Sequence, residues 1–67
     1  MNLGPRELIL GILNRGKDCK YTAENMASFL GCCPREAHAE LETLIKKERV
    51  RRLYENEEHL YQSTKFQ

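Results

Sequence analysis

The stretch "NMASFLGCCPREAHAELETLIKK", residues 25–47, constrains the fold more than any other part of the chain. Gly31 can take the left-handed conformation that ends a helix, and Pro34 suits the first turn of the next one. Only two residues, Cys32 and Cys33, separate them. Two helices must therefore meet at a tight turn, over about 22–30 and about 34–47, with Thr22 and Cys33 as their N-caps. Ala37, Leu41, Leu44 and Ile45 recur at i, i+4, i+7 and i+8, the spacing of a core-facing stripe. Met26, Ala27 and Leu30 form the matching face of the shorter helix. Such a pair cannot bury its apolar faces alone, so the flanking segments must close the core.

Those segments can be read on both sides. "GPRELILGILNRG" predicts a helix over about 5–15. It opens at Pro5 and stops at Gly16, with Leu8, Ile9, Ile12 and Leu13 as its apolar face. Gly11 weakens this helix by up to about 1 kcal/mol relative to Ala, and is expected where a neighbouring helix comes close. "KDCKY" reads as a polar link carrying a short strand around Lys20 and Tyr21. After residue 48 the period changes. "RVRRLYE" and "EHLYQ" flank the polar "NEE", a hairpin over about 49–62. Residues 63–67 read as a frayed tail. The expectation is one domain over 1–67, mainly α with a small β-hairpin.

Size and charge exclude several classes of function. A chain of 67 residues buries only about 60% of its unfolded surface, which leaves little room for a deep catalytic pocket. Its net charge is only +1, so the placement of charge matters more than the total. No apolar run approaches the roughly 18 residues of a membrane span. Arg6 and Glu7 precede the apolar Leu8–Leu13 run and no small-residue cleavage site follows, so a signal peptide is not expected. The expected setting is cytoplasmic, with reduced thiols. Three cysteines without a CxxC do not make a disulfide framework. No Gly-rich phosphate loop, HExxH or paired-carboxylate signature is present. The spacings of Cys19, Cys32, Cys33, His38 and His59 match no common zinc pattern. Neither an enzyme nor a cofactor nor a metal site is expected.

The order of elements, and "TAENMASFLGCCPREAHAELETLIKKERVRRL" in particular, resembles the winged helix-turn-helix family. Thr22, Met26, Ala27, Leu30, Gly31, Ala37, Leu41, Leu44, Val50, Arg51 and Arg52 fall where that family has its cap, its small and aliphatic core positions, its turn glycine and its basic pair. The resemblance covers about residues 5–62. In length and layout the chain is also similar to small stand-alone winged-helix regulators of bacterial fimbrial operons. Two departures stand out. Glu48 occupies the place of the glycine that usually follows the second helix of the pair, and the wing tip "ENEE" is acidic where DNA-contacting wings are usually basic.

The resemblance implies a three-helix winged helix-turn-helix that regulates transcription by binding double-stranded DNA. Its helix 34–47 would enter the major groove. The outward face of that helix then carries the base-reading residues Arg35, His38, Ala39, Glu42 and Thr43. Arginine suits guanine, glutamate can accept from cytosine, and a small residue permits close approach. "KKERVRR" holds five basic residues against one acidic, a local +4. Lys46, Lys47, Arg49, Arg51 and Arg52 would neutralise phosphates there, joined by Lys17 and Lys20 from the link before the second helix. The plainer reading is a solvated helix face with Glu42 and Lys46 paired at i, i+4. Six carboxylates oppose DNA binding: Glu36, Glu40 and Glu42 in the helix, and Glu55, Glu57 and Glu58 in the wing. They favour the competing expectation, a winged-helix module that docks a protein, or a weak homodimer, through its acidic wing and the surface of helix 2. Phe29 falls on a position of helix 2 that the pattern makes outward, and is expected either to pack on helix 1 or to serve such a partner. Tyr54 and Tyr61 read as core or cross-strand residues. Cys32 takes an aliphatic turn position. Cys33 reads mainly as the N-cap of the turn, and its place at a helix N-terminus also makes it the candidate for a redox-sensitive thiol.

Overall fold

A computed structural model describes residues 3–66. Three helices are followed by an antiparallel hairpin, the layout of a winged helix: α1 is Pro5–Leu13, α2 Ala23–Leu30, α3 Pro34–Lys46, β1 Val50–Glu55 and β2 Glu58–Ser63. No helix among the described residues is long and apolar enough to cross a membrane.

Each boundary has a local cause. The Thr22 hydroxyl accepts the Asn25 N–H at 3.0 Å and so caps α2. Gly31, at φ +72°, closes α2, with its own N–H and that of Cys32 both reaching the Ala27 carbonyl. Pro34 then opens α3 directly after Cys33. Helix α1 stops two residues short of the expected Arg15, because the chain turns at Asn14, whose side chain accepts the Ser63 hydroxyl. At the far end of α3, Glu48 takes the left-handed conformation itself, at φ +60°. Its N–H reaches the Ile45 carbonyl and the Arg49 N–H reaches the Leu44 carbonyl, both at 2.9 Å. These are the two bonds of a Schellman motif, built here without glycine.

The hairpin turns on Asn56 and Glu57, both with positive φ, as a two-residue type I′ loop requires. Val50 pairs with Ser63, Arg52 with Tyr61 and Tyr54 with His59, and these pairs share one face of the ribbon. Leu53, Leu60, Arg51, Gln62 and the acidic pair Glu55–Glu58 share the other. The expected strand near Tyr21 is present as a single bridge, with Tyr21 and Tyr61 exchanging backbone bonds of 3.2 and 2.8 Å.

The core is Ile9, Leu13, Met26, Ala27, Ala37, Leu41, Leu44, Val50 and Tyr61, with Cys32 and Ile45 at its margin. Three expectations need correction. Leu8 is 41% exposed, because α1 turns the edge between Ile9 and Leu13 inward. Gly11 meets nothing within 4 Å of where a Cβ would stand, so no helix approaches it. Residues 63–66 are not a frayed tail. Ser63 is buried, Thr64–Phe66 form a 3-10 turn, and the Thr64 hydroxyl donates to the Glu48 carbonyl at 2.9 Å. Gln67 lies outside the described residues.

Candidate nucleic-acid interface

The stripe of small and aliphatic residues that seats α3 on the core fixes which of its residues face out. Arg35, Ala39 and Lys46 lie opposite the buried Ala37, Leu41 and Leu44, and all three are exposed. Glu36 and Glu40 flank this strip on the α1 side, and His38 and Glu42 on the hairpin side. The strip continues past the helix end into exposed Lys47 and Arg49.

The flanking carboxylates are mostly occupied. Glu40 receives Arg6 of α1 at 3.4 Å. Glu42 Oε1 takes both the Arg52 guanidinium at 3.2 Å and His38 Nε2 at 3.3 Å. Glu42 therefore clamps α3 to β1, in place of the expected i, i+4 pair with Lys46. Burial raises the phenol of Tyr61 above its ordinary value, and the neighbouring Arg52 guanidinium partly opposes that. In the wing, Lys20 reaches Glu55 at 3.3 Å. Glu57 and Glu58 at the tip are exposed and hold no ion pair among the described residues.

The expected base-reading residues thus separate into two groups. Arg35 and Ala39 are presented outward. His38 Nε2 stands 3.3 Å from Glu42 Oε1, Glu42 is engaged by Arg52, and the Thr43 hydroxyl donates back to the Ala39 carbonyl at 3.1 Å, as helical threonines do. The basic residues divide in the same way. Lys46, Lys47 and Arg49 are exposed and have no ion pair among the described residues. Lys17 is also exposed, and its carbonyl accepts Gln62 Nε2 at 2.6 Å. Arg51 is half-buried and donates to Gln62 Oε1 at 3.0 Å. Arg52 and Lys20 are held by carboxylates.

These long-range ties are not legible in neighbouring residues, since residues 6 and 40, 42 and 52, and 20 and 55 meet only through the tertiary fold. Between the start of α2, His38 and the hairpin lies an open groove of about 730 Å³, lined in part by Asn25, Arg52, His59 and Tyr61. Phe29 does not pack on α1. It is 55% exposed and meets Tyr21 edge-on at 5.0 Å. Tyr61 is core, whereas Tyr54 is exposed against its cross-strand partner His59.

The cysteines also differ. Cys33 is exposed and its thiol donates to Glu36 Oε1 at 3.5 Å, leaving the backbone of α3 uncapped. Cys32 is half-buried, and burial, with the Glu36 carboxylate adding to it, pushes its thiol above the ordinary 9.0. No group of three or more His, Cys, Asp or Glu side chains able to hold a metal ion occurs among the described residues.

The fold and the outward strip define a small α+β protein of winged-helix layout with a basic ridge along α3 and beyond its end. No protein-family model, curated protein or solved structure matches this chain.

Proposed function

We propose that the protein is a small DNA-binding regulator that lays α3 in the major groove and grips phosphates from the end of that helix. One observation carries the reading. Of the three carboxylates beside the strip on α3, Glu40 is held by Arg6 and Glu42 by Arg52, leaving Glu36, while Arg35, Lys46, Lys47 and Arg49 have no ion pair among the described residues. The outward strip is then more basic than its sequence suggests, as phosphate contact requires. Arg35 is the residue best placed to read a guanine edge, and Ala39 lets the helix approach. Such a protein would work in the cytoplasm.

An amide chemical-shift titration with mixed-sequence duplex DNA tests this. The expected changes centre on Arg35, Ala39, Lys46, Lys47 and Arg49. Absence of any change at low salt contradicts the proposal.

A second reading has its own observation. The exposed Glu57–Glu58 tip and the exposed Phe29 ring suit a protein partner rather than a phosphate backbone. Under that reading duplex DNA leaves the α3 amides unmoved, and a protein partner shifts Phe29 and the tip.

A further inference from the structure

The ribbon is extended on one side only. Tyr21 exchanges backbone bonds of 3.2 and 2.8 Å with Tyr61, so the backbone groups of Tyr61 point away from β1. Arg52 lies directly opposite Tyr61, and Tyr54 lies opposite His59. By the alternation of an antiparallel ladder, the N–H and C=O of Arg52 and Tyr54 then point out of the ribbon on the far side of β1. Among the described residues no backbone bond reaches either one from outside the ribbon. Both residues are exposed, Tyr54 to 64%. Such an edge is a template for a further strand.

The residues of β1 narrow what can add to it. Arg51, Arg52 and Glu55 guard the edge against most strands. A second β1, antiparallel about a two-fold axis, must bring outward groups to outward groups, so the axis passes through a residue and not between two. Centred on Val50, Arg51 or Arg52, the pairing sets an arginine against an arginine, which is unfavourable. Centred on Tyr54 or Glu55, it overlaps at most the last three residues of each strand. Centred on Leu53, it overlaps Arg51–Glu55 of both copies. Leu53 then meets its own copy at the closely spaced kind of pair, and Arg52 and Tyr54 exchange two backbone bonds at each of two pairs.

The charged side chains do not supply the attraction. Arg51 Nε already donates to Gln62, Lys20 holds Glu55, and Glu42 holds Arg52. What the Leu53 register does is face Arg51 with Glu55 and Arg52 with Tyr54, so that no charge meets its like. The Arg52 guanidinium can lie on the ring of the second copy's tyrosine while it keeps Glu42.

We infer that the outer edge of β1 pairs with β1 of a second copy, antiparallel about Leu53, so that two hairpins make one four-stranded sheet. The inference stands apart from the DNA reading, because it uses none of the residues of the α3 strip and its test contains no DNA.

The experiment follows the full chain by sedimentation equilibrium and amide spectra from about 10 μM to ~1 mM. The mass is expected to rise towards that of two chains. The N–H groups of Arg52 and Tyr54 should gain protection from exchange, while that of Leu53, already bonded within the ribbon, should not. Leu53→Lys and Leu53→Glu should each weaken self-association at least about tenfold, because each sets like charges at the two-fold axis. An equal mixture of the two variants should restore it. Tyr54→Pro removes only an outward N–H, a change an edge strand tolerates, and should abolish association in a chain whose spectrum shows an unchanged fold. The inference is overturned by a monomer throughout the range, or by association that survives Tyr54→Pro or either Leu53 variant. It is also overturned by an absence of recovery in the mixture, or by concentration-dependent shifts confined to another surface such as that around Phe29.

Discussion

The carboxylates of α3 and those of the hairpin tip look alike in the sequence and behave differently in the fold. Glu40 and Glu42 sit where α1 and β1 bring Arg6 and Arg52 beside them. Glu57 and Glu58 stand at the turn of the hairpin and hold no ion pair among the described residues. A glutamate would therefore oppose a phosphate backbone less where the fold places a basic residue next to it. Two glutamates in each place thus go with unpaired cations on the α3 strip and unpaired anions at the tip, among the described residues.

The largest test of that contrast reverses the tip. Glu57→Lys with Glu58→Lys should raise duplex affinity about tenfold at low salt, because each new phosphate contact steepens the salt dependence by about one unit. Fluorescence anisotropy across a salt series measures it, and unchanged binding would mean that the tip never nears the duplex. Next in size is Glu48, a third kind of carboxylate, held left-handed between Lys47 and Arg49. Glu48→Gly should raise stability by about 1 kcal/mol in urea melts, because a non-glycine residue in that conformation carries roughly 1–2 kcal/mol of strain. It should also tighten DNA binding by removing an acid from the basic run.

A smaller effect is expected at the clamp. A double-mutant cycle of Glu42→Gln and Arg52→Gln should give a coupling of about 0.2–1 kcal/mol, the range of exposed ion pairs. Zero coupling would remove the distinction between tied and free carboxylates. The smallest effect lies outside the neutral range. Tyr61 and Cys32 have folded-state values raised above their ordinary 10.0 and 9.0. The fold favours their protonated forms, so their contribution is complete below about pH 9 and is lost as pH rises through their raised values. Urea midpoints should stay level up to that pH and fall above it.

The helix order, the Gly31–Pro34 turn, the Thr22 cap and the hairpin were legible because each is written in neighbouring residues. The α3 stripe was legible for the same reason, since its period is local. What escaped was set at long range. Leu8 matches the apolar pattern of α1, yet the bundle takes the Ile9–Leu13 edge and leaves Leu8 exposed. Thr64 and Ser63 look like a polar end, yet they bond to Glu48 and Asn14, residues brought near only when β2 returns along β1. At the candidate interface, residue types picked out both the strip and the basic run. They could not say that Arg52, Lys20 and Arg51 are already engaged while Lys46, Lys47 and Arg49 have no ion pair among the described residues.

The central claim is that Lys46, Lys47 and Arg49 hold phosphates. The most direct measurement is the slope of log K against log salt for duplex DNA, compared between the unaltered chain and the Lys46→Ala, Lys47→Ala, Arg49→Ala variant. The account predicts salt-sensitive binding whose slope falls by about three units in the variant. Equal slopes in the two proteins, or no salt-sensitive binding by the unaltered chain, would contradict it.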